Sequence, residues 1–148
     1  MGRLRTWEGR FLADNPGLRV HASAVNYTKY MDDFRFEQLE IWKESIEISD
    51  VLFDYAEKAD TKKFYRFAEQ LRGAGMSISN NIAEGSGSFS DKEFASFLNV
   101  ARRSDFECVN ILHIFERRKI ITFEEKQALR LQLLTLSKRI SSFRKTLI

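Results

Sequence analysis

Cysteine, proline and histidine are nearly absent from this sequence: it has one Cys, one Pro and two His in 148 residues. A single thiol, Cys108, excludes an internal disulfide framework and any site built from several thiolates, and it fits a reducing, cytoplasmic setting. Neither His21 nor His113 stands in the Glu-x-x-His spacing that di-iron bundles use, so no metal or other cofactor is expected. No apolar run approaches the roughly 18 residues that cross a bilayer, and the N-terminus lacks the continuous apolar block of a secretory signal. Membrane association is therefore not expected either. Seven Gly leave little scope for long loops or low-complexity segments.

What the chain does have is apolar bulk: 43% of its residues are hydrophobic, and thirteen are Phe. At this length that suffices for one domain with a sizeable core. The net charge of +3 conceals a strong asymmetry. Residues 1–30 hold five basic and two acidic side chains, and residues 31–61 hold three basic and ten acidic. Residues 62–116 balance at seven each, whereas residues 117–148 hold nine basic and two acidic. Opposite charges thus occupy opposite ends of the patterned region.

Residues 1–33 show no helical or strand period and contain the turn-like Asn15-Pro16-Gly17. They are read as an N-terminal extension, a flexible arm or a non-native leader, with the domain proper at 34–148. From about Gln38 the period becomes helical. The first helix carries Leu39, Trp42, Ile46, Ser49, Phe53 and Ala56 at alternating steps of three and four; the second carries Phe64, Phe67, Leu71, Ala74, Ile78 and Ile82. Phe94, Phe97, Leu98, Ala101, Cys108, Leu112 and Phe115 mark the third, and Leu129, Leu133, Leu136, Ile140, Phe143 and Leu147 the fourth. Cys108 falls on an apolar stripe and reads as a small core residue.

Helix-end chemistry agrees with this division. Ser90-Asp91-Lys92-Glu93 and Thr122-Phe123-Glu124-Glu125 read as capping boxes, the first flanked by Phe89 and Phe94 in hydrophobic-staple positions. Gly85 and Gly87 read as a left-handed stop for the second helix. The links are short, so the expected fold is all-α, an antiparallel up-down-up-down four-helix bundle. The small, polar run Ser77–Phe94 is then a helix end, a turn and an N-cap. A phosphate loop would need a preceding strand and a Gly-Lys-Ser/Thr, and it has neither.

Certain polar residues interrupt the stripes. Asn81 and Glu84 lie beside Ile78 and Ile82, and Ser104 and Glu107 fall in the corresponding zone of the third helix. Buried polar groups need partners, so these four, with Arg72 close in sequence, are read as an inter-helix polar lock. The alternative is a small hydrolase or transferase that uses Glu84 and Glu107 as its carboxylates. Arg102, Arg103, Arg117, Arg118 and Lys119 are the candidates for contacting RNA or DNA phosphates, since clustered cations gain from counterion release. Helix one bears a second apolar stripe, Ile41, Ile48, Leu52 and Tyr55, about 120° from the first by helical geometry. One core needs one stripe, so the second is read as a surface for another subunit.

The runs FRFEQLEIWKESIEIS, QLRGAGMSISNNIAEGSG and EFASFLNVARRSDFE, the last followed by ILHIFERRKII, resemble the 23S rRNA intervening-sequence proteins over about residues 34–147. Ser77, Ile78, Asn81, Ile82, Ala83, Glu84 and Gly85 match that family's Ser-Ile-x-x-Asn-Ile-Ala-Glu-Gly core, and Ala101, Ser104 and Glu107 its Ala-x-x-Ser-x-x-Glu element. The resemblance implies an antiparallel bundle that assembles into rings, typically homopentamers, without established catalysis. It also implies a likeness in fold to accessory proteins of diversity-generating retroelements, which work with a reverse transcriptase and RNA. The functional expectation is a non-enzymatic, homo-oligomeric scaffold associated with RNA or DNA, with a retroelement accessory protein as the alternative.

Overall fold

The alternating threes and fours become four long helices. The computed structural model describes residues 34–148, and the extension with its reading as an arm lies outside them. A 3-10 turn at Arg35–Gln38 leads into α1, Glu40–Thr61. Then follow α2, Tyr65–Ser86, α3, Asp91–Arg117, and α4, Phe123–Lys145. No strand occurs among the described residues.

Pairs between helices fix their directions. Across α1 and α4, Lys58 meets Glu125 while Arg139 meets Glu44, so one number rises as the other falls. Ser104 against Ser77 and Phe97 against Gly85 do the same for α3 and α2. Across α3 and α4, Glu116 pairs with Lys126, and the Arg144 guanidinium donates to the Ala95 carbonyl at 3.0 Å. Each helix runs antiparallel to its neighbour, and α1 closes the bundle on α4.

The ends differ in part from the sequence reading. Thr122 forms a complete capping box with Glu125. Ser90 accepts from the Glu93 amide at 3.2 Å, but Phe89 stands fully in solvent and makes no staple. Its intended partner Phe94 is buried edge-on against Phe143, with the Arg35 guanidinium over the Phe94 ring. No glycine among the described residues has a positive φ, so Gly85 and Gly87 provide no left-handed stop. The α2 helix runs through Gly85 because that residue is needed for close approach: a Cβ there would lie 2.6 Å from Phe97 Cβ and 2.7 Å from Phe94 Cδ2.

Left-handed residues do end two other helices, and both are lysines. Lys63 has φ 64° and Lys119 has φ 55°. Past α1, the Phe64 amide donates to the Ala59 carbonyl and the Lys63 amide to Asp60. Past α3, the Ile120 amide donates to Phe115 and the Lys119 amide to Glu116. These are two Schellman endings of one pattern, each with an apolar residue just after the left-handed one.

In the core, α4 contributes Leu129, Leu133, Leu136 and Ile140 of its stripe as expected, and Cys108 is fully buried. The face of α1 is the main departure. Ile41, Ile48, Leu52 and Tyr55, read as a subunit surface, form the core face instead, with Leu52 wholly buried. Of the stripe expected in the core, Ser49 and Ala56 are buried, but Trp42 and Phe53 are only half-buried and Ile46 is exposed. A helix touching both α2 and α4 buries a broad arc, and its centre lies between the two stripes.

Substituting Gly85→Ala should push α2 from α3 and cost about 1–3 kcal/mol. Chemical denaturation measures this as a lower midpoint with an unchanged slope.

Candidate functional site

Ser77 is the hub of the polar contact between α2 and α3, on the outer seam of the bundle rather than at its centre. The Asn81 amide donates to the Ser77 carbonyl at 2.7 Å and to its hydroxyl at 3.1 Å. The Ser104 hydroxyl lies 2.8 Å from Ser77 Oγ and 3.2 Å from the Val100 carbonyl. The structure thus brings together Asn81 and Ser104 from the expected lock, through a serine that the sequence reading did not select.

The other three members lie elsewhere. Glu84 and Glu107 are exposed, because their side chains are long enough to carry a carboxylate from the stripe edge into water. No hydrogen bond joins them to the seam among the described residues. Arg72 points to the α1 side and pairs with Asp60 and with Glu69. Those two acids also hold its guanidinium protonated, Asp60 contributing most. Below the seam lies a shallow cleft of about 330 Å³ lined by Glu69, Gln70, Gly73, Ala74, Ser77 and Glu107.

A buried carboxyl that the sequence reading passed over is Asp105, only 1% exposed. It follows Ser104 on α3 and faces α4. Burial pushes its pKa up to about 7; the nearby Ser137 hydroxyl and the charge of Arg102 act in the opposite direction. Among the described residues, Asp105 Oδ1 has no hydrogen-bond partner. The nearby Cys108 thiol is also pushed up, first by burial and then by the charges of Asp105 and Glu107, so it is no thiolate nucleophile at neutral pH.

The five phosphate candidates divide into two groups. Arg102 lies over the Phe106 ring at 4.6 Å, and Arg103 is exposed beside it. Arg117, Arg118 and Lys119 are four helical turns further on, at the far end of α3. There the fold adds cations that the sequence scatters. The Lys62 ammonium donates to the Lys119 carbonyl, tying the α1–α2 turn to the α3–α4 turn. Lys62, Lys63, Arg66, Arg117, Arg118 and Lys119 are all exposed at this end. The acids nearby are largely engaged: Asp60 with Arg72, Glu116 with Lys126, Glu125 with Lys58. Glu125 sits below the usual carboxylate range, chiefly through its bond from Lys58. Glu57 and Glu124 are exposed and form no ion pair among the described residues.

The family model for 23S rRNA-intervening sequence proteins matches residues 37–142. The chain belongs to that family. Among solved structures it is similar to a protein of unknown function of the S23 ribosomal protein family from Bacteroides thetaiotaomicron VPI-5482. The two share 23% identity with a TM-score of 0.67, over 71% of this chain and 98% of that one. That likeness carries the bundle fold and no more. No curated protein matches the chain. Membership places Ser77, Asn81 and Glu84 inside the matched region, as it does both turns of the cationic end. Among the described residues, no helix is long and apolar enough to cross a membrane.

Ser104→Ala should cost about 1 kcal/mol in unfolding free energy, whereas Glu84→Ala should stay within about 0.5 kcal/mol. Urea titrations of the two variants check the contrast, and equal losses would restore Glu84 to the lock. Asp105 adds a pH dependence of definite sign. Its folded pKa lies above the unfolded one, so the native state holds the proton longer and stability falls as pH rises from about 4 to about 7. Asp105→Asn should flatten that fall, gaining on the order of 1 kcal/mol or more at pH 8 relative to pH 4, seen as a converging pair of melting curves at acid pH.

Proposed function

We propose that this protein is a non-enzymatic scaffold of the intervening-sequence family, assembled from several copies of the chain, that holds RNA or DNA by its phosphates at the end carrying Lys63 and Lys119. The observation that carries the reading is the pair of left-handed lysines. A side chain in that conformation costs roughly 1–2 kcal/mol relative to glycine, which is why glycine usually occupies the position. Here both twinned endings bear lysine, with Lys62, Arg66, Arg117 and Arg118 around them. Helix C-termini attract cations, and that accounts for some of this charge. It does not account for the choice of the strained position twice. Contacts to phosphate alone would be blind to sequence.

Assembly is the second component. The exposed acids of α1, Glu47, Asp50, Asp54 and Glu57, form one kind of surface, and α4 with its exposed Lys138 and Lys145 forms the opposite kind. Two unlike, complementary faces on one subunit favour head-to-tail association, which closes into a ring when the rotation allows. Five copies is the number that the family resemblance implies. A catalytic role for Glu84 and Glu107 finds no support in their exposed positions.

Lys63→Gly and Lys119→Gly should each stabilise the fold by up to about 1 kcal/mol while weakening binding to a generic RNA or DNA duplex. The slope of log affinity against log salt should shrink by about one per removed contact. Stabilised variants that bind as before would end the phosphate reading. Mass measurement in solution tests assembly separately: a multiple of the chain mass is expected, and its charge-paired contacts should loosen in salt. A monomer at micromolar concentration and low salt would overturn the ring.

A further inference from the structure

The cationic end also presents aromatic rings, which phosphate contacts leave unused. Both helices that lead away from it open on one: Tyr65 is the first residue of α2 and Phe123 the first of α4. They are 59% and 54% exposed, whereas Phe64 and Ile120 in the same two turns pack against the core. One exposed ring is ordinary on a protein surface; two at one end, each a few residues past a left-handed lysine, form a pattern. Among the described residues the Tyr65 side chain has no ring contact and no hydrogen bond, and Lys63 and Arg66 on either side of it in the chain are exposed. Phe123 shares a cleft of about 490 Å³ with Lys119. Glu116 and Glu125 line that cleft too, but Lys126 and Lys58 hold their carboxylates. The Lys126 ammonium lies 4.7 Å from the centre of the Phe123 ring. Because Lys126 is itself buried, it takes the inner face of the ring and leaves the outer one open.

We propose that this end binds an unpaired strand of RNA or DNA, with bases stacked on Tyr65 and Phe123 and phosphates held by Lys63, Arg66 and Lys119. The inference rests on the phosphate reading above and narrows it, because cations are attracted to the backbone of duplex and strand alike. Rings discriminate between the two. In a duplex the base planes face one another inside the stack and only their edges are presented, so an aromatic side chain on a protein surface finds no partner there. An unpaired strand can turn its bases outward, and each base stacked on a ring strengthens binding about 5- to 150-fold. Stacking and charge read neither base edges nor the sugar, so strands of RNA and DNA are equivalent ligands. The Lys62 bond to the Lys119 carbonyl joins the two turns, which places both rings on one surface. At ordinary helix spacing, α2 and α4 stand roughly 11–14 Å apart across the diagonal of the bundle, a span of a few nucleotides.

The test follows fluorescence anisotropy of labelled oligothymidylate, oligouridylate and a mixed-sequence duplex, each about 12 nucleotides long, titrated with the full chain at one low salt concentration. Both strands should bind at least about tenfold tighter than the duplex. Tyr65→Leu and Phe123→Leu, apolar but without a ring, should each shrink that preference by about fivefold, and Tyr65→Phe should keep it. Both positions are exposed, so circular dichroism should be unchanged in all three variants. The slope of log affinity against log salt should hold in the leucine variants, since no cation is lost. Either strand binding no tighter than the duplex, or a strand preference that survives both leucine substitutions, would overturn the proposal and leave the phosphate reading standing. Failure of every probe to bind at low salt would overturn both.

Discussion

The close approach of α2 to its neighbours is the constraint from which the architecture follows. On one side Gly75 lets α1 come near enough that a Cβ there would stand 3.1 Å from Leu52 Cδ1, and Ser49 donates to the Gly75 carbonyl at 3.3 Å. On the other, Gly85 admits Phe94 and Phe97. Small residues on α2 therefore set two of the four interhelical distances, and larger side chains elsewhere fill to match. The α2–α3 seam is a product of the same approach. Only because the backbones lie close can two serine hydroxyls meet at 2.8 Å.

Much of the fold was legible because helical period and cap chemistry are local. Four helices, the Thr122 box and the Ser90 cap all survive in the structure. The misread face of α1 has a geometric cause. Ile41, Ile48 and Leu52 compete with Trp42, Ile46 and Phe53, and periodicity alone does not rank two apolar stripes on one helix; the positions of α2 and α4 do. The acids went astray for a related reason. A polar residue at a stripe edge can bond inward, as Asn81 and Ser104 do, or reach outward, as Glu84 and Glu107 do, and side-chain length decides between them. Asp105 is short, so it stays inside.

The cationic end was half legible. Arg117-Arg118-Lys119 was visible as a cluster, but Lys62, Lys63 and Arg66 join it only after α1 and α3 are folded with their C-termini side by side. A signal for the two endings did exist in the chain. Each left-handed lysine stands between a long helix and an apolar residue, Phe64 or Ile120, that returns to the bundle. Glycine usually marks such places, so two lysines there do not stand out in the sequence. The structure separates two kinds of region: a face and core where side chains settle alignment, and an end and a buried acid where less favourable choices persist.

The order of contacts along the chain also bears on how the protein comes into being. Because α1 meets α2, α2 meets α3 and α3 meets α4, nearly all pairings join segments adjacent in synthesis, and such topologies fold quickly. Only the seating of α4 on α1 spans most of the chain, latched by Lys58 with Glu125 and Glu44 with Arg139. A nascent three-helix intermediate would therefore leave Ile48 and Tyr55 short of cover until α4 is made, a brief window in which a chaperone or a neighbouring polypeptide could lodge in the vacant slot.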